Sequence, residues 1–264
     1  MHTVDWQLLI NQWTRSANLE FTTWRGSVGV IKPTLRLGGT EEFLRLLPEG
    51  IGVLPIYLNV DRGTTEEFKS VLPHYEQAAR KLAEAGVDLI HPEGAPPFMV
   101  HGYRGEQQIV DKWQTELEVP VVTSSMSALS ACRALRMTNI IGVSYFRGEI
   151  NDLFARYFEE AGIRVAEMAG MDVEFNRAQW LDSREVYAFV RALYLKHRDA
   201  DGIYLLGSGW HVLDIIDLLE QDLEVPVVHP IASRIWTIQH HLHVREKIQG
   251  HGQLLRELPR PTTT

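Results

Sequence analysis

The chain has 264 residues, 45% hydrophobic and 23% charged, with 20 Gly, 12 Pro and one Cys, which excludes collagen-like, low-complexity and disordered classes. Its 34 acidic against 26 basic residues give a formal charge of -8, which repels phosphate backbones and anionic membranes, so neither nucleic acid nor membrane is expected as a partner. No apolar run approaches the roughly 20 residues of a membrane span, and residues 1–26 lack a signal-peptide core, so a cytoplasmic location is expected. The lone Cys132, in SALSACRAL, reads as a small buried hydrophobe in a reducing compartment.

At the N-terminus, Trp6, Leu9, Ile10 and Trp13 stand at helical spacing. They predict a helical extension over residues 1–26 that packs on the body or on a second copy, hence a homo-oligomer. Runs rich in Val, Ile and Leu follow at 27–31, 51–58, 87–90, 119–123, 140–144, 164–168, 202–206 and 225–229, each reading as a buried strand. Between them, segments such as 64–85 and 183–197 repeat apolar residues at three and four spacing and read as amphipathic helices. Apolar strands alternating with helices imply parallel sheets covered on both faces, an α/β class.

LEVPVV occurs twice, at Leu117 to Val122 and at Leu223 to Val228, each time between helices, and the stretches upstream, AGVDLI from Ala85 and ADGIYLL from Ala200, match as well. The chain therefore reads as two related lobes: 27–138 with 231–264 in the first, 139–230 in the second. A ligand is expected in the cleft between them, at the carboxyl ends of the strands.

The loops there carry the candidate chemistry. After the first strand, Thr40 before Glu41 and Glu42 predicts a helix N-cap, and Gly38-Gly39 fits neither GxGxxG nor a P-loop. Residues 91–105, stiffened by Pro and supplied with Gly, suit a preformed ligand surface. Thr123, Ser124 and Ser125 either cap a helix or, with its terminal N–H groups, hold a carboxylate. His91, His101, His211 and His229 all follow strands and could move protons near neutral pH, but no metal-ligand spacing joins them, and no metal is expected. His240, His241, His243 and His251 read as a solvated face.

Together these segments resemble the aspartate/glutamate racemase superfamily, in its branch of arylmalonate decarboxylases and maleate cis-trans isomerases, over about residues 27–258. The strings that carry it are 85–90, 98–105, 121–128, Ser144-Tyr145 with Asn151, 201–206 with 213–216, and 250–255. The resemblance implies two pseudo-symmetric lobes, each a mainly parallel sheet flanked by helices. It also implies chemistry without a cofactor on a small carboxylate, through a carbanion or enediolate stabilised by hydrogen bonds. Most relatives place a Cys on each side of the substrate, and decarboxylases keep only the second; by spacing, Gly94 and Gly207 stand at those positions, with Ser208 adjacent.

A thiol near pKa 8.5 exchanges protons at neutral pH and an unassisted Ser hydroxyl does not, so two-base racemisation and Cys-adduct isomerisation are disfavoured. What the resemblance leaves is an anion-stabilising cleft: Pro33, Gly94, Ala95, Thr123, Ser124, Asn151, Gly207, Ser208, Gly209 and His229 around the substrate, and Tyr145 as a donor. Proton delivery falls to His or Glu, with Glu93 and His211 ranked first. The expectation is an arylmalonate-decarboxylase-like carbon-carbon lyase; the alternatives are a maleate-isomerase-like isomerase or other acid-base lyase, and a non-catalytic small-acid binding protein.

Overall fold

The computed structural model describes residues 23–262, so residues 1–22 of the expected N-terminal extension lie outside the described residues. Two parallel sheets organise the chain. In the first, β1 (Gly26–Lys32) lies between β2 (Ile51–Tyr57) and β3 (Leu89–Pro92). In the second, β4 (Asn139–Ser144) lies between β5 (Arg164–Gly170) and β6 (Gly202–Leu206), with β7 (Val227–Val228) beyond β6. The expected strand at 119–123 is reduced to one rung, Val121 beside Ile90, because Pro120 has no N–H to donate.

The halves repeat each other down to single hydrogen bonds. Gln114 Oε1 accepts the Val121 N–H at 3.1 Å, and Glu220 Oε1 accepts the Val227 N–H at 3.0 Å. Glu118 and Glu224 both end their helices in the left-handed region, at φ 54° and 57°. Asp88 receives the Ser27 N–H at 2.7 Å, as Asp201 receives the Thr138 N–H at 2.8 Å. The LEVPVV echo is thus a structural repeat.

Helices cover both sheets: α1 (Gly39–Leu46), α2 (Thr65–Ser70), α3 (Leu72–Glu84), α4 (Pro96–Met99), α5 (Gly102–Leu117), α6 (Ser124–Ala134), α7 (Ile150–Glu160), α8 (Ser183–Lys196), α9 (Ile216–Leu223), α10 (Pro230–His241) and α11 (Gln253–Glu257). Three local expectations are corrected. The helix read over 64–85 breaks at Val71, since Pro73 fits only in a first turn. Thr40 is not the N-cap of α1; that residue is Gly38, whose N–H is taken by the Glu41 carboxylate at 2.6 Å. The loop read over 91–105 is helical at 96–99 and 102–105, because Pro96 and Pro97 sit in the first turn of α4, where a missing N–H costs nothing.

The core is apolar on both sides, with Val28, Ile31, Leu82 and Ile90 in the first half and Ile140, Leu205, Phe158 and Leu219 in the second all buried. The C-terminal segment then crosses between halves. α10 packs on α6 and α1, and Glu246 pairs with Arg25 beside β1. Residues 252–253 dock on α9 of the second half, Gly252 N–H donating to Asp217 and Gln253 N–H to Glu220, both at 2.7 Å.

Candidate functional site

The loops after β1, β3, β4 and β6 converge on one hollow, lined among others by Lys32, Pro33, Arg36, Glu93, Gly94, Ala95, Ser124, Tyr145 and residues 207–209. Its volume is about 40 Å³, room for a few waters at most. Gly94 and Gly207 both face it, at φ 91° and 108°, so the two glycine loops share a single space. Neither position has room for a side chain. A Cβ at Gly207 would lie 2.3 Å from Tyr145 Cε1, and one at Gly94 would lie 2.9 Å from Pro33 Cγ. Tyr145 and Pro33 occupy that space.

Glu93 is the hub. Its backbone N–H donates to Ile31 O at 2.8 Å, fixing it to the sheet, and its side chain is 3% exposed. Arg234 Nη1 donates to Glu93 Oε2 at 2.5 Å, and Ser208 Oγ donates to Oε1 at 2.8 Å, joining the two lobes through one carboxylate. Burial pushes the Glu93 carboxyl up, but the charges of Arg234 and Lys32, with the Ser208 and Arg234 hydrogen bonds, outweigh it and hold it below the ordinary range. Glu93 is therefore ionised at neutral pH. Arg234 itself stacks over Phe43, 3.9 Å from the ring centroid.

Lys32, at the end of β1, donates through Nζ to Arg36 O at 2.6 Å and Thr40 Oγ1 at 3.0 Å. Burial lowers its pKa, with Arg234 and Arg36 adding to the effect while Glu93 and Glu41 oppose it. Arg36 lies over the Phe175 ring at 4.0 Å and donates to Phe175 O, so residues 33–38 strap the first lobe to the second. Tyr145 stacks on Phe146 at 4.7 Å, and burial raises its phenol pKa against the pull of Arg36 and the Gly209 N–H. It is protonated at neutral pH and able to donate.

Ser124 lines the hollow, accepting the Gly94 N–H at 3.2 Å and meeting His91 Nε2 at 3.2 Å. Burial, then the Arg234 charge, pushes His91 well down. His229 caps α10 by accepting the Ile231 N–H on Nδ1, which leaves Nε2 to donate to Gly207 O at 3.2 Å. Burial takes its pKa to about 3, so it braces the glycine loop as a neutral ring.

Other sequence candidates lie elsewhere. His211 is half exposed, 3.0 Å from Glu42, in a separate groove with Arg45, Asp182, Ser183 and Asp214. Trp210 is buried, and the next side chain turns outward onto Gly38. Asn151 accepts from Ser144 Oγ at 2.6 Å and donates to Phe146 O and Gly148 O, which holds the turn behind the wall of the hollow. Thr123 accepts the Met126 N–H and donates to the buried Glu106 at 2.6 Å. Among the described residues no group of three or more His, Cys, Asp or Glu is placed to hold a metal.

Lys32, Arg36 and Arg234 were missed by sequence reasoning. A signal existed for two of them: Lys32 closes the apolar run VGVIK, and Arg234 interrupts the apolar PIASRIW helix. A charge in such a place needs a buried partner.

Residues 30–255 match the arylmalonate decarboxylase family. The chain belongs to that family. No curated protein matches it. Among solved structures it is similar to the maleate isomerase Iso from Pseudomonas putida S16 (TM-score 0.82, 19% identity, 88% of this chain and 99% of that one). It is also similar to the maleate cis-trans isomerase of Nocardia farcinica (0.81, 17%, 88% and 98%) and to an arylmalonate decarboxylase (0.70, 22%, 88% and 99%). The family member shares with these the α/β architecture of two parallel sheets flanked by helices. Among the described residues no helix is long and apolar enough to cross a membrane.

Proposed function

We propose that this chain is a cofactor-independent enzyme acting on a small organic dicarboxylic acid, an arylmalonate-decarboxylase-like carbon-carbon lyase. The observation that carries the reading is that both glycine loops face one hollow whose lining cations, Lys32 and Arg36, outnumber its one carboxylate, Glu93. A carboxylate substrate supplies the missing negative charge. Such a substrate requires the hollow to widen beyond its volume of about 40 Å³; its retained carboxylate would then lie toward Lys32 and Arg36, and the departing one toward Phe68, Pro96, Pro97 and Phe146. Loss of CO2 moves charge onto an enediolate, which the protonated Tyr145 and the N–H groups of Ala95, Gly207 and Ser208 would stabilise from fixed positions. Glu93, ionised and held by Arg234, would fix the second glycine loop beside the substrate by accepting the Ser208 hydroxyl.

A screen for CO2 release over aryl- and alkylmalonates tests this. Turnover of at least one, with kcat reduced about 100-fold or more in Glu93→Gln, supports it. Malonates that bind without CO2 release would overturn it in favour of the binding-protein alternative. Isomerisation of maleate is the second reading, favoured by Ser208 Oγ donating to the Glu93 carboxylate at 2.8 Å, a base-held hydroxyl where relatives are expected to use sulfur. Conversion of maleate to fumarate with no CO2 release from malonates would select it.

A further inference from the structure

Decarboxylation leaves an enediolate that must take a proton on carbon, and few groups around the hollow have one to give. Glu93 is ionised through Arg234. The Ser208 proton is committed to Glu93, and an alcohol is in any case too weak an acid. The Tyr145 phenol is raised by burial, His229 holds its ring proton on Gly207 O, and a guanidinium such as Arg36 does not deprotonate. Cys132 is fully buried in α6 and does not line the hollow.

Lys32 remains. It is fixed by the end of β1, it lines the hollow, and two of its three N–H bonds have acceptors in Arg36 O and Thr40 Oγ1, which leaves one for a ligand. We propose that Lys32 is the proton donor of this enzyme, delivering its ammonium proton to the enediolate carbon. The inference rests on the decarboxylase reading. In the step an N–H bond breaks and a C–H bond forms from the enediolate electron pair, one carboxylate is restored, and the neutral amine recovers its proton from water. Burial first, then Arg234 and Arg36, favour the neutral amine that the step leaves behind and lower the Lys32 pKa against the pull of Glu93 and Glu41.

The test compares wild type, Lys32→Arg and Lys32→Met on the malonate turned over fastest, with fold checked by circular dichroism. A second readout is the exchange of the α-hydrogen of the matching monoacid into D2O, which runs the proton transfer without CO2 release. Lys32→Arg keeps the charge, so KM should stay within about threefold while kcat and exchange both fall about 100-fold or more. The wild-type loss of kcat at high pH should also vanish in that variant. Unchanged kcat and exchange, or an unchanged basic limb, in Lys32→Arg overturns the assignment while leaving the decarboxylase reading intact. Exchange that depends on Lys32 without CO2 release would keep Lys32 as the acid and discard the decarboxylase reading. A wild type that does neither overturns both.

Discussion

Arg234→Met deletes the guanidinium that Glu93 depends on while keeping an apolar stem against Phe43. Glu93 is 3% exposed and receives its closest hydrogen bond, at 2.5 Å, from Arg234. Removing one partner of a buried pair costs about 3–5 kcal/mol. Ser208 and the charge of Lys32 stay in place, so the lower bound, about 3 kcal/mol, is expected. At about 1.4 kcal/mol per tenfold, that lowers the folding equilibrium constant by roughly two orders of magnitude. Urea denaturation followed by circular dichroism measures it, across wild type, Arg234→Met, Glu93→Gln and the double variant. The double variant carries no isolated buried charge and should recover most of the loss.

pH supplies a second check. In the wild type Glu93 titrates below its unfolded value, so its stabilisation is present above about pH 4.3 and lost as pH falls through the depressed native value. Without Arg234, burial is less opposed and the native pKa rises, so the variant loses ground to wild type as pH increases from about 4 to 7. A cost below about 1 kcal/mol, or a double variant no better than Arg234→Met alone, refutes the reasoning.

Other perturbations follow from the same geometry. Gly207→Ala drives a Cβ into Tyr145 and should cost more than Gly162→Ala, which has positive φ but nothing within 4 Å; calorimetric melting temperatures that fall equally would sink the claim. Burial raises the Glu106 carboxyl although Ser125, Thr123 and Tyr157 hydroxyls donate to it, so its stabilisation is full below the unfolded value, about pH 4.3, and is lost as pH rises through the native one. Glu106→Gln should therefore gain on wild type as pH rises, and a pH-independent difference in urea midpoints would contradict it. Arg36→Ala removes a stacking contact worth about 0.5–2 kcal/mol, and chymotrypsin should then cut at the exposed Leu35 or Leu37 several-fold faster; an unchanged rate means the strap is held by other contacts.

The inner strands were legible in the sequence because buried parallel strands are apolar throughout, whereas β2 and β5, expected as buried, are edge strands left largely half-buried or exposed. The halves were legible because LEVPVV needs the same left-handed Glu and the same staple from the preceding helix in each. Gly94 and Gly207, which line one hollow, were paired beforehand only through the family resemblance. What the sequence hid depends on contacts across long separations: Arg234 meets Glu93 from 141 residues away, and no periodicity encodes that. His211 stands four positions from Gly207 in sequence, yet buried Trp210 turns the chain and sends it to another groove. Thr123 and Asn151 carry the polar groups a substrate would want, but those groups already hold Glu106 and a turn.

The C-terminal segment spans the back of the molecule, leaning on Arg25 at one end and gripping Asp217 and Glu220 at the other. A buckle fastened there restrains the lobes from swinging apart like the covers of a book. Residues 33–38 add a second fastening through Arg36 and Phe175, so the two lobes are tied at both places and not at one.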